Sequence, residues 1–216
     1  MTKRFRCESI ICDLDGTLWS PLLLSVEAWR QSCIKHHFDP DLIKIERVAS
    51  VYGMVFEEAT EIMLPTLPPE VRMKILVDAG CIENSLIEKR LGTLFAGVPE
   101  TLELLSRTKR LFLCSNCQSG YIDAFFRTYD VSRFFTATIA SGDTGEYKTD
   151  NLKTLIKRYE ISEAVFVGDT ESDHHAARTN KIPFIYASYG FGNLTDFDAS
   201  IATFGELPNL LDRTLG

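Results

Sequence analysis

The chain has 216 residues, 45% apolar and 25% charged, enough to bury a sizeable core as an ordinary globular protein, either as one large domain or as a core with a smaller insertion. Its formal charge of −7 argues against a nucleic-acid partner, which needs clustered Lys and Arg, and the basic start at Lys3, Arg4 and Arg6 reads as a solvated terminus. No stretch approaches the roughly 18 apolar residues of a membrane helix and no signal-peptide pattern opens the chain, so the expectation is no membrane and a cytoplasmic location.

The first element is the apolar run Ser9 to Cys12, read as a strand, and it ends on Asp13-Leu14-Asp15-Gly16-Thr17. A buried strand ending on two acids must offset them, because an unpaired buried carboxylate is costly. From Ser20 to Leu91 the pattern is helical. Ser25 to His37 is predicted to be capped by Ser25, and Asp39-Pro40 to open a second helix running through Val51. Phe56 to Leu64 follows, then Pro65 to Pro69 interrupts, Glu70 to Ala79 resumes until Gly80, and Glu83 to Leu91 is a last amphipathic segment. This exceeds what a crossover requires, so residues 20–91 are predicted to be an inserted helical domain between core segments 1–19 and 92–216. Its turn Val51 to Met54 either selects substrate or simply packs between helices.

Four further runs read as strands: Leu111 to Cys114, Thr136 to Ile139, Ala164 to Val167 and Ile182 to Tyr186. Most are continuously apolar, as strands buried on both faces require. Helical patterns at Gly120 to Tyr129, Asp150 to Tyr159 and Ser172 to Thr179 separate them. This βαβ alternation predicts an α/β fold, a doubly wound parallel sheet with its ligand site at the carboxyl ends of the strands. Chemistry-bearing residues fall at those ends: Asp13 and Asp15, then Ser115 and Asn116, Lys148 in the loop after the third run, and Asp169 and Asp173. Leu194 to Gly216 is expected to close the core with a strand or helix.

The six cysteines, Cys7, Cys12, Cys33, Cys81, Cys114 and Cys117, read as reduced thiols. The C-x-x-C spacing of Cys114 and Cys117 follows Leu111 to Leu113, which makes them small residues at a strand end rather than a redox pair. His36-His37 and His174-His175 are adjacent pairs, about 100° apart around a helix, a poor arrangement for sharing one ion.

In their order along the chain, Asp13-Leu-Asp15-Gly-Thr17, Ser115-Asn116, Lys148 and Gly168-Asp169-Thr-Glu-Ser-Asp173 are similar to the motifs of the haloacid dehalogenase-like superfamily, in its phosphatase branch, across about Ser9 to Asn193. The chemistry suits these residue types. In-line attack on a phosphate ester needs a carboxylate nucleophile and a separate proton donor. Two approaching anions need a cation between them, and Mg²⁺ suits carboxylates completed by a carbonyl and waters.

The resemblance implies hydrolysis of a small-molecule phosphate ester through an aspartyl-phosphate, with Asp13 as nucleophile and Asp15 as acid and then base. It implies Mg²⁺ on the Asp13 side chain, the Asp15 carbonyl and Asp169, with Asp173 orienting the site, binding metal through water, or capping its helix. Lys148 would hold the phosphoryl oxygens and the nucleophile; Ser115 would donate to phosphate with Asn116 supporting; Gly16 would let amides approach phosphate and Thr17 brace that turn. Thr149 replaces the usual proline after the lysine, and Ser20 stands where an acid is common.

Asp15 separates the chain from dehalogenases and from phosphonoacetaldehyde hydrolase, which lack that second acid. A receiver module would carry its phosphorylated Asp on the third strand and have no such insertion. A β-phosphoglucomutase-like hexose-phosphate mutase and a catalytically silent phosphate-binding protein stay open as alternatives. By analogy the substrate is of phosphoglycolate or sugar-phosphate type, under a lid hinged near Trp19-Ser20 and Gly92 to Gly97. Monomer and homodimer are equally compatible with the residues.

Overall fold

The computed structural model describes residues 5, 7–54, 56–89 and 92–212. Lys3, Arg4, Arg6, Leu91 and Gly216, used above as sequence landmarks, lie outside them. The first half of the chain runs β1 (Ser9–Cys12), β2 (Trp19–Ser20), α1 (Leu22–Lys35), α2 (Ile45–Ser50), α3 (Phe56–Met63), α4 (Pro69–Glu88), β3 (Thr93–Leu94) and α5 (Val98–Ser106). The second half continues with β4 (Arg110–Ser115), α6 (Tyr121–Tyr129), β5 (Phe135–Ala140), α7 (Ser141–Thr144), α8 (Lys148–Arg158), β6 (Ala164–Gly168), α9 (Glu171–Thr179), β7 (Phe184–Ala187), β8 (Ala199–Ile201) and α10 (Leu207–Asp212).

Six strands form one sheet in the order β5-β4-β1-β6-β7-β8, every pair parallel. This is the predicted α/β arrangement. β1 lies between β4 and β6, so the strand order reverses beside it and a crevice opens at its carboxyl end. Alternation divides the core by face: Ile10, Cys12, Leu111, Leu113, Val165 and Val167 pack on one side, Ile11, Phe112, Cys114 and Phe166 on the other. β5 departs from the continuous pattern because it is an edge strand, with half-exposed and exposed positions along most of its length. Leu194 to Gly216 was expected to add a strand or a helix, and it supplies both β8 and α10.

Helices α1 to α4 lie between β2 and β3 and gather a separate apolar cluster, including Trp29, Ile43, Met63, Ile75 and Leu76. Three local expectations are corrected here. Gly80 does not end a helix; α4 runs through it as one 20-residue helix, because tertiary packing of its buried face outweighs the roughly 1 kcal/mol propensity cost of a glycine. Ser25 is not a cap, since α1 starts earlier at Leu22, and its hydroxyl is spent on tertiary bonds to Tyr52 and Glu83. Asp39 caps only a single 3₁₀ turn at Pro40–Leu42, because Ile43 and Lys44 are extended and restart the helix at Ile45. No helix among the described residues is long and apolar enough to cross a membrane.

The two ends of the helical segment meet in a short antiparallel ladder, Trp19 with Leu94 and Ser20 with Thr93. Trp19 is fully buried against Tyr121, Phe125 and Tyr129. A Cβ on Gly92 would stand 2.1 Å from Trp19 Cζ3. Gly92→Ala is therefore expected to destabilise the protein by roughly 1–3 kcal/mol, as overpacking does; urea unfolding should show a lower midpoint, and an unmoved midpoint would refute this close approach.

Candidate active site

Asp13 leaves β1 while its N–H still bonds the Val167 carbonyl at 2.9 Å, so its backbone is fixed as a continuation of the sheet. The side chain meets Lys148, whose Nζ donates to Asp13 Oδ1 at 2.6 Å and to Asp173 Oδ1 at 2.5 Å. Lys148 is 2% exposed, and it is the first residue of α8 rather than a loop residue as expected. The extended backbone of Tyr147 turns the chain into this helix, and Leu152 and Leu155 anchor it to the sheet. Asn116 ties the start of α8 to the end of β4: its Oδ1 accepts from the Lys148 N–H at 3.1 Å and from Ser141 Oγ at 2.8 Å.

Asp169 follows β6. Its Oδ1 accepts from Thr17 Oγ1 at 3.2 Å and its Oδ2 from the Phe191 N–H at 2.7 Å. Close packing forces glycine on both sides, since a Cβ on Gly16 or Gly190 would lie 2.2 or 2.3 Å from that carboxylate. Asp173 performs two of the roles considered for it. Its Oδ2 accepts from the Asp169 N–H, the Thr170 N–H and Thr170 Oγ1 at 3.1, 2.9 and 2.7 Å, capping α9, while Oδ1 takes the lysine.

Oxygens of Asp13, Asp169 and Asp173 all lie within 4.8 Å of one another. Three buried carboxylates against one ammonium leave two formal negative charges without a counter-charge among these groups. Burial above all, and then the charge of Asp173, pushes the Asp13 and Asp169 carboxyls well above the usual carboxylate range. For Lys148 burial opposes the charge, but Asp13 and Asp173 outweigh it and raise its pKa. Hard oxygen donors with an excess of two negative charges fit a divalent cation such as Mg²⁺. Asp13 and Asp169 are the better direct ligands, because Asp173 already accepts four hydrogen bonds.

Asp15 has a different environment although it lies only two residues from Asp13. Gly16, at φ +83°, turns the chain, and Asp15 Oδ1 accepts from Trp19 Nε1 at 2.7 Å and Tyr121 OH at 2.8 Å. Burial pushes this carboxyl up to about 7, with the Tyr121 and Trp19 bonds acting the other way. Asp13, Asp15, Ser115 and Lys148 line one cavity of about 70 Å³, roofed by Ser25, Trp29, Tyr52 and Glu83 of the helical segment.

Among the predicted residues, Gly16, Thr17, Asp169 and Asp173 stand behind this cavity rather than in its lining. Thr17 braces Asp169 through its hydroxyl. Asn116 also reaches across: its Nδ2 donates to the Gly53 carbonyl at 2.8 Å and to Ser172 Oγ at 3.2 Å. The described cysteines are free, and burial pushes the Cys114 thiol up to about 12, away from thiolate chemistry. His36 pairs with Asp78 and His174 with Asp196, outside the acidic trio.

Sequence reasoning missed Trp19 and Tyr121 as partners of Asp15, the Tyr189 to Gly192 loop around Asp169, and Glu83. Two of these had signals. Gly190-Phe191-Gly192 follows the fifth strand run at the same sheet edge, and Glu83 lies on the apolar stripe of α4 formed by Leu76, Ala79, Gly80, Leu86 and Ile87.

Lys148→Met should cost about 3–5 kcal/mol of stability, the range for orphaning buried charges. Mg²⁺ should restore part of it, measured by urea unfolding with cation and with chelator; a variant as stable as the wild type in chelator would remove the lysine from this role.

The sequence profile of the haloacid dehalogenase-like hydrolases matches residues 10–187. No curated protein matches the chain. Among solved structures, a predicted phosphoglycolate phosphatase from Haemophilus somnus superposes with a TM-score of 0.84 at 16% identity, covering 94% of this chain and 97% of its own. A haloacid dehalogenase-like hydrolase from Streptococcus pneumoniae gives 0.83 at 18% identity, with coverages of 94% and 97%. CbbY from Rhodobacter sphaeroides, solved with phosphate, gives 0.77 at 19% identity, with 95% and 99%. At these identities the likeness shows the shared fold.

Proposed function

The chain belongs to the haloacid dehalogenase-like hydrolases, and on that footing we propose that it is a Mg²⁺-dependent phosphatase of small phosphate esters, of phosphoglycolate or sugar-phosphate type, working through an aspartyl-phosphate on Asp13. The observation that carries this reading is the pair of unlike carboxylates in one cavity. Asp13 faces an ammonium, whereas the hydrogen-bond partners of Asp15 are the neutral donors Trp19 and Tyr121. Such a division of environments assigns one acid to attack and the other to proton transfer.

In the first step Asp13 attacks phosphorus, the bond to the leaving oxygen breaks, and Asp15 gives that oxygen its proton. In the second, Asp15 takes a proton from a water that attacks the aspartyl-phosphate, phosphate leaves, and both carboxyls return to their starting states. Lys148 holds Asp13 in line and neutralises charge; Ser115 donates to a phosphoryl oxygen. Mg²⁺ on Asp13, Asp169 and the Asp15 carbonyl would screen the phosphoryl anion as it nears the nucleophile.

Residues 20–91 act in this reading as a lid on a core of 1–19 and 92–216, hinged at the ladder of β2 and β3. The small cavity supports a small substrate. Free thiols fit a reducing compartment, as in the cytoplasm.

Phosphate release from a panel of phosphorylated metabolites should require Mg²⁺ and fall by at least about 1,000-fold in Asp13→Asn; release that survives this change would refute the nucleophile. Asp15→Asn should slow turnover about 10²–10⁴-fold, the range for general acid–base catalysis. Asp169→Ala should shift Mg²⁺ half-saturation at least about tenfold, and an unshifted titration would remove it from the metal site.

A further inference from the structure

Glu83 is a charged residue that the phosphatase chemistry does not use, yet it is 5% exposed and lines the reaction cavity. It belongs to α4, where neighbours three and four residues away on the same face are apolar. A carboxylate in such a stripe has to be held there. The holding groups form a directed chain: Tyr52 OH donates to Ser25 Oγ at 2.7 Å, and Ser25 Oγ donates to Glu83 Oε1. Gln118 Nε2, from the loop after β4, donates to Glu83 Oε2 at 2.8 Å. Ser25 and Gln118 both donate to Glu83 and Tyr52 stands behind Ser25, so the network runs toward the carboxylate as its acceptor. Burial pushes the carboxyl up, and the Ser25 and Gln118 donors work against that rise.

The location follows from the reaction geometry. If the phosphoryl group sits among Asp13, Lys148 and Ser115, with its leaving oxygen beside Asp15, the remainder of the leaving group occupies the space under Ser25, Tyr52 and Glu83. Asp15 and Glu83 line the same cavity. Among the described residues lining this cavity Lys148 is the only cation, and it is committed to Asp13 and Asp173. A second anionic group on a substrate would therefore meet Glu83 with nothing to neutralise it.

We propose that Glu83 selects the leaving group: the enzyme takes phosphomonoesters whose alcohol carries a hydrogen-bond donor, a hydroxyl or a protonated amine, and rejects those whose alcohol carries a carboxylate or a second phosphate. This rests on the phosphatase reading above and narrows it away from phosphoglycolate. It also disfavours a mutase cycle, because a retained bisphosphate would set its distal phosphate against Glu83.

Three esters with the same two-carbon frame test it: 2-hydroxyethyl phosphate, 2-aminoethyl phosphate and phosphoglycolate, assayed on the full chain with Mg²⁺, with acetyl phosphate as a small activated acyl phosphate. The hydroxyl and amine esters should exceed phosphoglycolate in kcat/KM by at least about tenfold, and Glu83→Gln should shrink that ratio by a similar factor, since the amide keeps the shape and loses the charge. Phosphoglycolate turned over as well as the other two by the wild type, or a ratio unmoved in a folded Glu83→Gln, overturns the proposal. The wild-type ratio decides alone if the variant does not fold. If only acetyl phosphate is hydrolysed, the inhibition constants of the three esters report the same preference as a ratio of affinities, and equal constants overturn the proposal. If acetyl phosphate is inert as well, the phosphatase reading fails and takes this inference with it.

Discussion

Lys148 joins three elements at the carboxyl edge of the sheet, and the rest of the site is arranged around that ammonium. β1 delivers Asp13, α9 delivers Asp173 and α8 delivers the lysine itself, with separations of 2.6 and 2.5 Å. Charges this deeply buried recover their desolvation only when geometry is good and the remaining lone pairs are satisfied. That condition is met on the Asp173 side, where the oxygen not facing Lys148 caps α9 through three donors. The position of a helix and the charge balance of the site are thus one constraint. It is not met for the trio as a whole, which carries an excess of negative charge that a divalent cation would offset.

The two acids of the first motif illustrate how little separation in sequence is needed to divide chemical roles. An ideal strand would send Asp13 and Asp15 to the same face. The chain leaves the strand and bends at Leu14, so that Asp15 meets the aromatic groups Trp19 and Tyr121 instead of the lysine. Tyr121 opens α6 on one side of the sheet, while Lys148 comes from α8 packed on the other. The two faces of the sheet therefore set the two carboxyls apart.

The helical segment meets the core through contacts that reach the same residues. Tyr52 stacks on Phe191 with ring centroids 4.1 Å apart, and Phe191 donates its N–H to Asp169. Gly53, at φ +83°, comes so close to Thr170 that a Cβ would stand 2.4 Å from its hydroxyl, and its carbonyl accepts from Asn116. Thr170 is in turn part of the α9 cap with Asp173. Docking of the turn Val51 to Met54 consequently bears on the groups that hold Asp169 and Asp173 as well as on the roof of the cavity.

The βαβ order, five of the six strands of the parallel sheet, the helical character of the long segment and the clustering of Asp13, Asp15, Ser115, Lys148, Asp169 and Asp173 at strand ends were legible from the residues. Each follows from local patterning: apolar periodicity and polar residues placed where buried runs stop. Three features were not legible, because distant packing decides them. α4 continues through Gly80 on the strength of its buried face, Ser25 gives up capping for bonds to Tyr52 and Glu83, and Lys148 begins a helix whose apolar side is anchored on the sheet. Lys148, the partner of Asp13, lies 135 residues away in the chain, and Tyr121, which joins the nearby Trp19 on Asp15, lies 106 away. Sequence determined which chemical groups are present and which edge of the sheet they share; tertiary structure alone decided which carboxyl faces a cation, which faces neutral donors, and which, as Glu83, stands over the space a leaving group would fill, because burial and hydrogen-bond partners are properties of the folded neighbourhood.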